Sequence, residues 1–403
     1  MGRRSGWRSG GAGVGAVLLA LACAGDSVNS PASCPAYCAT AGTEARDTVL
    51  AGVVTRDSTY RGYNFALTAG ELQVAGTGGV SEARGIVKFF GFPVRVQGSS
   101  TDTTTSVVRV DSIRVNLSVR RRTAGTLQLA VYRLPRGTDT LMTYDTATPF
   151  FQDSTKAGEY TVTADTGLFR VVIPPGALPT LEADSFEMAL GFAVVSPATS
   201  RLQLGSNEGG LGAFVERFMD IDSGTTRIKR MDQRLASLDT YVFRSLPAPP
   251  ADVLTVGGAP AARVIMRLSL PRRIVDSTTV VRATLLLVPD GPALSAAGDT
   301  ARVLAHALAT DLGAKSPVAI GATDTDRRAG GFVPPASTDT VRVDITEVIR
   351  FWRADTLRPR TFVLRTTPEG GSLSEVRFWS SANAARRPLV HLTYVLPFRL
   401  QAQ

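Results

Sequence analysis

Two histidines are all that this chain offers for proton transfer near neutral pH, and both alternate with apolar neighbours: His306 in the run Val303–Leu308, VLAHAL, and His391 in the run Leu389–Tyr394, LVHLTY. Alternation of that kind marks one face of a β-strand and not a poised general base. No Gly-x-Ser-x-Gly elbow, His-x-x-x-His pair, Walker loop or dinucleotide fingerprint accompanies them. A glycosidase can work with two carboxylates alone. Glu187, Glu216, Glu347 and Glu375 are available for that role, but no spacing pairs them. Oxygen ligands for calcium are nearest to hand at Asp220 and Asp222 and at Asp324 and Asp326, where a short acidic run serves equally well as a plain turn. These residues predict a non-enzymatic chain with no catalytic set, cofactor or metal centre.

Sugar recognition asks for exposed aromatic faces, and aromatic residues make up only 7% of the chain. Trp379 is the best placed. In Val376-Arg-Phe-Trp379, a period of two puts Val376 and Phe378 on one face and Arg377 and Trp379 on the other. Arg377 and Trp379 are therefore the candidate ligand-binding residues, with an edge or interdomain contact as the other reading. Tyr60 and Tyr63, in a polar stretch ahead of the first core strands, form a weaker pair.

The elements that must carry these side chains are strands. Short runs rich in Val, Ile, Thr and aromatics, such as 112–119, 127–132, 187–194, 284–288 and 389–395, are separated by Gly, Pro, Asp and Ser. One helix is expected within Asp344–Trp352, where Ile345, Val348, Ile349 and Trp352 form a single apolar stripe and Asp344 or Thr346 can cap the start. In the corresponding place earlier in the chain, Pro174 and Pro175 block a helix.

The strand runs recur in order. Leu72–Gly76, Ala83-Arg84, the run ending at Pro93, Leu127–Leu134, Phe169–Ile173 and Ser200–Asn207 return as Leu254–Gly258, Ala262-Arg263, the run ending at Pro271, Val303–Thr310, Val341–Ile345 and Ser374–Ser381, between about 172 and 182 positions later. That spacing is too long for a solenoid or propeller unit and suits a duplicated domain. The fold expected is all-β: two tandem jelly-roll-like β-sandwiches from an internal duplication, over 47–236 and 237–398, with the one short helix in the second.

The formal charge of +9 falls to +6 without Arg3, Arg4 and Arg8. The remaining arginines are scattered along strands, with Arg120–Arg122 and Arg227–Arg234 the densest groups, so solvated faces are predicted and no nucleic-acid partner. Arg3, Arg4 and Arg8 precede an apolar stretch from Ala12 to Ala22, too short for a membrane span and suited to a signal peptide over 1–22. Its end, Leu19-Ala-Leu-Ala-Cys23, resembles the lipobox of bacterial lipoproteins. That resemblance implies lipidation at Cys23, a membrane partner through the lipid anchor, and placement at the outer membrane or cell surface of the cell envelope. Residues 23–46 have the Ala, Gly, Ser, Thr and Pro content of a flexible tether. Within it, Cys34 and Cys38 are expected to form one small-loop disulfide in an oxidising compartment.

The second copy resembles the DNRLRE domains of extracellular bacterial and archaeal proteins, which are related to disaggregatase repeats and to a class of carbohydrate-binding modules. The resemblance rests on Asp239–Phe243, Leu254–Gly258, Arg263–Pro271, Ala283–Leu287, Val343–Thr346 with Trp352, Val376–Ser380, and Arg387–Leu389 leading to Tyr394, in that order. It implies a jelly-roll-like surface module that sometimes binds polysaccharide. No stretch of these residues reads as a catalytic module. The expected role is therefore non-catalytic binding or scaffolding in the envelope, on a polysaccharide or an envelope protein. A structural subunit of an envelope assembly and, more remotely, a glycan-active enzyme are the alternatives.

Overall fold

The computed structural model describes residues 45–396 apart from 64–65, 91, 93–94, 98–104, 124, 178–186, 224–225, 295–299, 320–329, 356 and 371. The signal segment, the tether up to residue 44 with Cys23, Cys34 and Cys38, and the Asp324/Asp326 pair lie outside the described residues, while Ala45 and Arg46, expected to end the tether, begin a strand.

Strands dominate, as the period-two runs require. The first thirteen are β1 (Ala45–Ala51), β2 (Val54–Tyr63), β3 (Glu71–Thr77), β4 (Val80–Phe89), β5 (Arg95–Gln97), β6 (Thr105–Arg122), β7 (Leu127–Leu134), β8 (Lys156–Val162), β9 (Gly167–Ile173), β10 (Met188–Val194), β11 (Ser200–Gly205), β12 (Phe214–Ser223) and β13 (Thr226–Phe243). The rest are β14 (Val253–Gly257), β15 (Ala261–Leu268), β16 (Thr279–Leu287), β17 (Ala301–Ala307), β18 (Gly331–Val333), β19 (Val341–Asp344), β20 (Thr361–Thr366), β21 (Glu375–Trp379) and β22 (Leu389–Val395). Among the described residues three short helices accompany them: α1 (Tyr144–Ala147), α2 (Arg272–Val275) and α3 (Thr346–Ala354).

The protein is all-β and sandwich-like. Strands β3, β4 and β6 to β13 join one sheet that folds over its own core, with β5 paired to β6. Leu72, Phe89, Ile113, Leu129, Phe192 and Leu204 fill that core. A second sandwich packs the four-stranded sheet β1-β22-β16-β19 against a seven-stranded sheet in which β18-β17-β20-β15-β14-β21 run side by side and β2 joins β15. Its core takes Leu285, Val343 and Val390 from the smaller sheet and Val264, Phe362 and Phe378 from the larger. Burial of these alternating side chains is what holds both layers together.

Helix α3 forms where the apolar stripe placed it, with Ile345, Val348, Ile349 and Trp352 all buried in the second core. Neither candidate is the N-cap residue, which is Ile345 and makes no side-chain cap bond; only Asp344, one residue ahead, reaches a helix N–H. Asp344 Oδ1 accepts the Thr346 N–H at 2.7 Å, while the Thr346 hydroxyl is turned inward to accept the Ala283 N–H at 2.9 Å. In the first sandwich, β9 is followed by a single 3₁₀ turn at Pro175–Ala177.

Strand pairing redraws the chain's division. β1 and β2, assigned above to the first unit over 47–236, pair along their length with β22 and β15 of the second sandwich. The division at 236/237 also cuts through β13. Its first half, to Leu235, pairs with β12, and Ala236–Phe243 crosses to pair with β4. The segment read as the start of the second copy is thus a strand of the first sandwich. Periodicity decides which residues form a strand but not which edge the strand will join.

Candidate functional site

β21 alternates as expected. Val376 and Phe378 are fully buried in the core, and Arg377 and Trp379 lie on the opposite face. That face is already occupied. Arg377 Nε donates to Glu375 Oε1 at 2.8 Å, and its Nη2 donates to the Pro247 carbonyl. The Arg386 guanidinium lies 5.3 Å from the Trp379 ring centroid. Trp379 is half-buried, and its indole N–H has no acceptor among the described residues. It sits at the edge of the sheet and lines none of the three clefts described at this surface.

Tyr60 and Tyr63 lie on β2 and belong to the second sandwich, not to an insert of the first. The Arg263 guanidinium stacks on the Tyr63 ring at 3.9 Å, and Tyr60 packs against the cluster of Ile265, Leu308 and Val363. Both rings serve the outer face of the larger sheet.

The remaining candidates are dispersed. His306 is buried on β17, and His391 lies on β22 with Nε2 3.5 Å from Asp47 Oδ1. Glu187 pairs with Lys88 at 2.9 Å, Glu347 with Arg350 at 2.7 Å, and Glu216 accepts from Asn116 at 3.3 Å. Glu375 is buried between Arg61 and Arg377. Asp220 and Asp222 are on strand β12, not in a turn, and Asp222 is flanked by Arg109 and Arg227 at 3.5 and 3.4 Å. Among the described residues no group of three His, Cys, Asp or Glu side chains is placed to hold a metal ion.

The largest of these three clefts, about 370 Å³, lies where the two sandwiches meet. Glu71, Arg121 and Gln203 line it from the first, and Arg302, Thr367 and Ser372 are among those lining it from the second. Arg201 forms the adjoining wall with Arg121 and Gln203. Its Nε and Nη2 both donate to Gln73 Oε1, at 2.9 and 2.7 Å. Burial first, and the neighbouring Arg121 second, push the Arg201 guanidinium down to about 10, so it remains cationic at neutral pH. Glu71 is the only acid lining the cleft among the described residues, and Arg120 stands 3.9 Å from it. The cleft is thus cationic in balance and rimmed by hydroxyls, a setting that suits a polyhydroxylated anion. No local pattern announces it, since β3, β6, β11, β17 and β20 each supply one or two residues and the rest come from Thr300 and the stretch after β20.

At the junction Phe243 and Leu373 pack against the buried Ala75 and Ala83. Tyr241 is buried on β13, and its hydroxyl donates to the Gly370 carbonyl at 3.2 Å, with burial pushing its pKa up to about 12. Next to it, Asp239 Oδ2 accepts the Asn207 N–H at 2.9 Å. Burial pushes the Asp239 carboxyl up to about 6, with the Asn207 N–H opposing and the Glu208 carboxylate reinforcing the shift. An acid raised in this way keeps its proton longer in the folded chain. The stability it contributes is present in acid and is lost as pH rises through that window. Urea midpoints of the wild-type protein should therefore fall relative to those of Asp239→Asn between about pH 4 and pH 6, and run parallel above. An unchanging difference across that range would remove the buried acid.

No protein-family model matches this chain, and no curated protein matches it.

Proposed function

We propose that this is an exported, lipid-anchored envelope protein with a non-catalytic binding role, and that its ligand is an acidic polysaccharide held at the junction of the two sandwiches. The observation that carries the reading is the inter-sandwich cleft of about 370 Å³, lined by Arg121 of the first sandwich and Arg302 of the second together with Gln203, Thr367 and Ser372. Guanidinium groups bind carboxylates through two parallel hydrogen bonds, and hydroxyls and amides complement sugar hydroxyls. The lipobox-like Cys23 and the resemblance of the second half to surface modules support the location. Trp379, capped by Arg386, is an edge residue in this reading.

The test is binding to uronate-containing and neutral polysaccharides, with Arg302→Ala, Arg121→Ala and Trp379→Ala alongside. Saturable, salt-sensitive binding to the acidic polymers is expected. Each arginine variant should weaken it about tenfold or more, the worth of one charged hydrogen bond, and Trp379→Ala should leave it unchanged. Binding abolished by Trp379→Ala alone would move the site to β21. No binding to any polymer would favour the second reading, an envelope assembly subunit, which the placement of β1 and β2 supports.

A further inference from the structure

The two sandwiches are closed by equivalent strands that reach them from different directions along the chain. In the first, Ala236–Phe243 pairs with β4 and follows directly from the β12–β13 hairpin. In the second, β2 pairs with β15, and it comes from the far N-terminal side of the first sandwich. Matched by face, Ile86 corresponds to Ile265 and Val87 to Met266, in step with the Ala83-Arg84 and Ala262-Arg263 match and one residue away from the match of Pro93 with Pro271. On that register Asp239 lies opposite Val87, and Asp57 lies opposite Met266.

The two aspartates do the same work. Asp239 Oδ2 accepts the Asn207 N–H at 2.9 Å, and Asp57 Oδ2 accepts the Ser381 N–H at 2.6 Å. Asn207 and Ser381 are the last residues of the matching runs 200–207 and 374–381. Each half of the chain is preceded by such a strand, at 54–63 and at 236–243, and each of those strands sits in the other half's sandwich.

The seat for residues 45–63 is specific. Val53 and Val54 enter the second core, Thr59 Oγ1 accepts the Thr255 N–H at 3.0 Å, and Arg61 reaches the buried Glu375 at 2.9 Å. We infer that this seat is a donor-strand site and that its partner in assembly is a second copy of this chain, which supplies residues 45–63 in place of the molecule's own. None of these contacts depends on the chain continuing from Tyr63 into β3 of the same molecule. An exchanged segment satisfies all of them, and only the high effective concentration of the tethered segment favours closure within one molecule. Exchange of this segment between two copies closes into a reciprocal dimer or, where each copy donates to a third, runs on into a longer assembly. This inference is independent of what the cleft binds.

Val49 and His391 are partners in the β1–β22 register, Val49 is exposed, and neither belongs to the core. The experiment uses the full chain with Cys23, Cys34 and Cys38 replaced by serine, carrying either Val49→Cys or His391→Cys. Equal amounts are unfolded together, refolded at increasing concentration and oxidised. The expected result is a shift to disulfide-linked heterodimer of twice the chain mass, rising with concentration and well above a control that pairs Val49→Cys with Leu141→Cys on the first sandwich. A chain carrying both Val49→Cys and His391→Cys should close within one molecule when dilute and give linked dimer and larger species when concentrated. Heterodimer no greater than the control, or a double variant that bridges only within single chains at every concentration, would overturn the inference. Failure of the double variant to bridge at all would overturn the β1–β22 pairing beneath it.

Discussion

Glu375→Ala is expected to destabilise the second sandwich by about 3–5 kcal/mol, the usual cost of removing one member of a buried ion pair and leaving the other charge behind. The carboxylate is 1% exposed and takes Arg377 Nε on one oxygen at 2.8 Å and Arg61 Nη1 on the other at 2.9 Å. Arg377 is itself only 12% exposed, so its guanidinium cannot turn to water without disturbing the sheet. Arg61 is more exposed and contributes less. Glu375→Gln keeps an oxygen acceptor and should cost less than the alanine variant. Urea unfolding of both variants beside wild type is the measurement. A loss below about 1 kcal/mol for Glu375→Ala would mean that the group is solvated and not buried. Since Arg61 belongs to the N-terminal segment, Glu375→Ala should also loosen that segment, visible as faster amide exchange in β2 than in β20.

Trp352→Ala should cost a similar amount, about 3–5 kcal/mol, through loss of buried area and the cavity left behind. The ring is 4% exposed and packs against Phe362 with centroids 6.2 Å apart. Its indole N–H has no acceptor among the described residues. Trp352→Phe therefore removes an unsatisfied donor together with part of the ring, and it should recover much of the alanine loss. Trp379→Ala, at a half-buried edge position, should change stability by no more than about 1 kcal/mol. Denaturant midpoints for the three variants give the order directly. A larger loss at Trp379 than at Trp352 would reverse the assignment of core and edge tryptophans.

Several features were legible from local pattern alone. Val376 and Phe378 face the core because a strand alternates its side chains whatever its neighbours. Ile345, Val348, Ile349 and Trp352 make a buried helical stripe because three and four residues return a helix to the same face. The candidate face of Arg377 and Trp379 was found in the same way. What that reading missed was how fully the face is engaged, by Glu375, the Pro247 carbonyl and Arg386, whose positions depend on other segments. Arg121 belonged to a run that reads as a solvated cluster, yet it lines the inter-sandwich cleft with Arg302.

The amino-acid order alone specified an all-β chain, its strand segments, its one substantial helix and most inward-facing residues, because each of those depends on side chains within a few positions of one another. Tertiary structure alone decided that β1 and β2 close the second sandwich, that β13 is shared between two partners, and that Arg121 and Arg302 line one cleft at the junction. An open strand edge accepts any strand of suitable register, since backbone hydrogen bonds carry no sequence label. The choice is made by distant side chains. Asp57 meeting the Ser381 N–H and Arg61 meeting Glu375 join residues more than 300 positions apart.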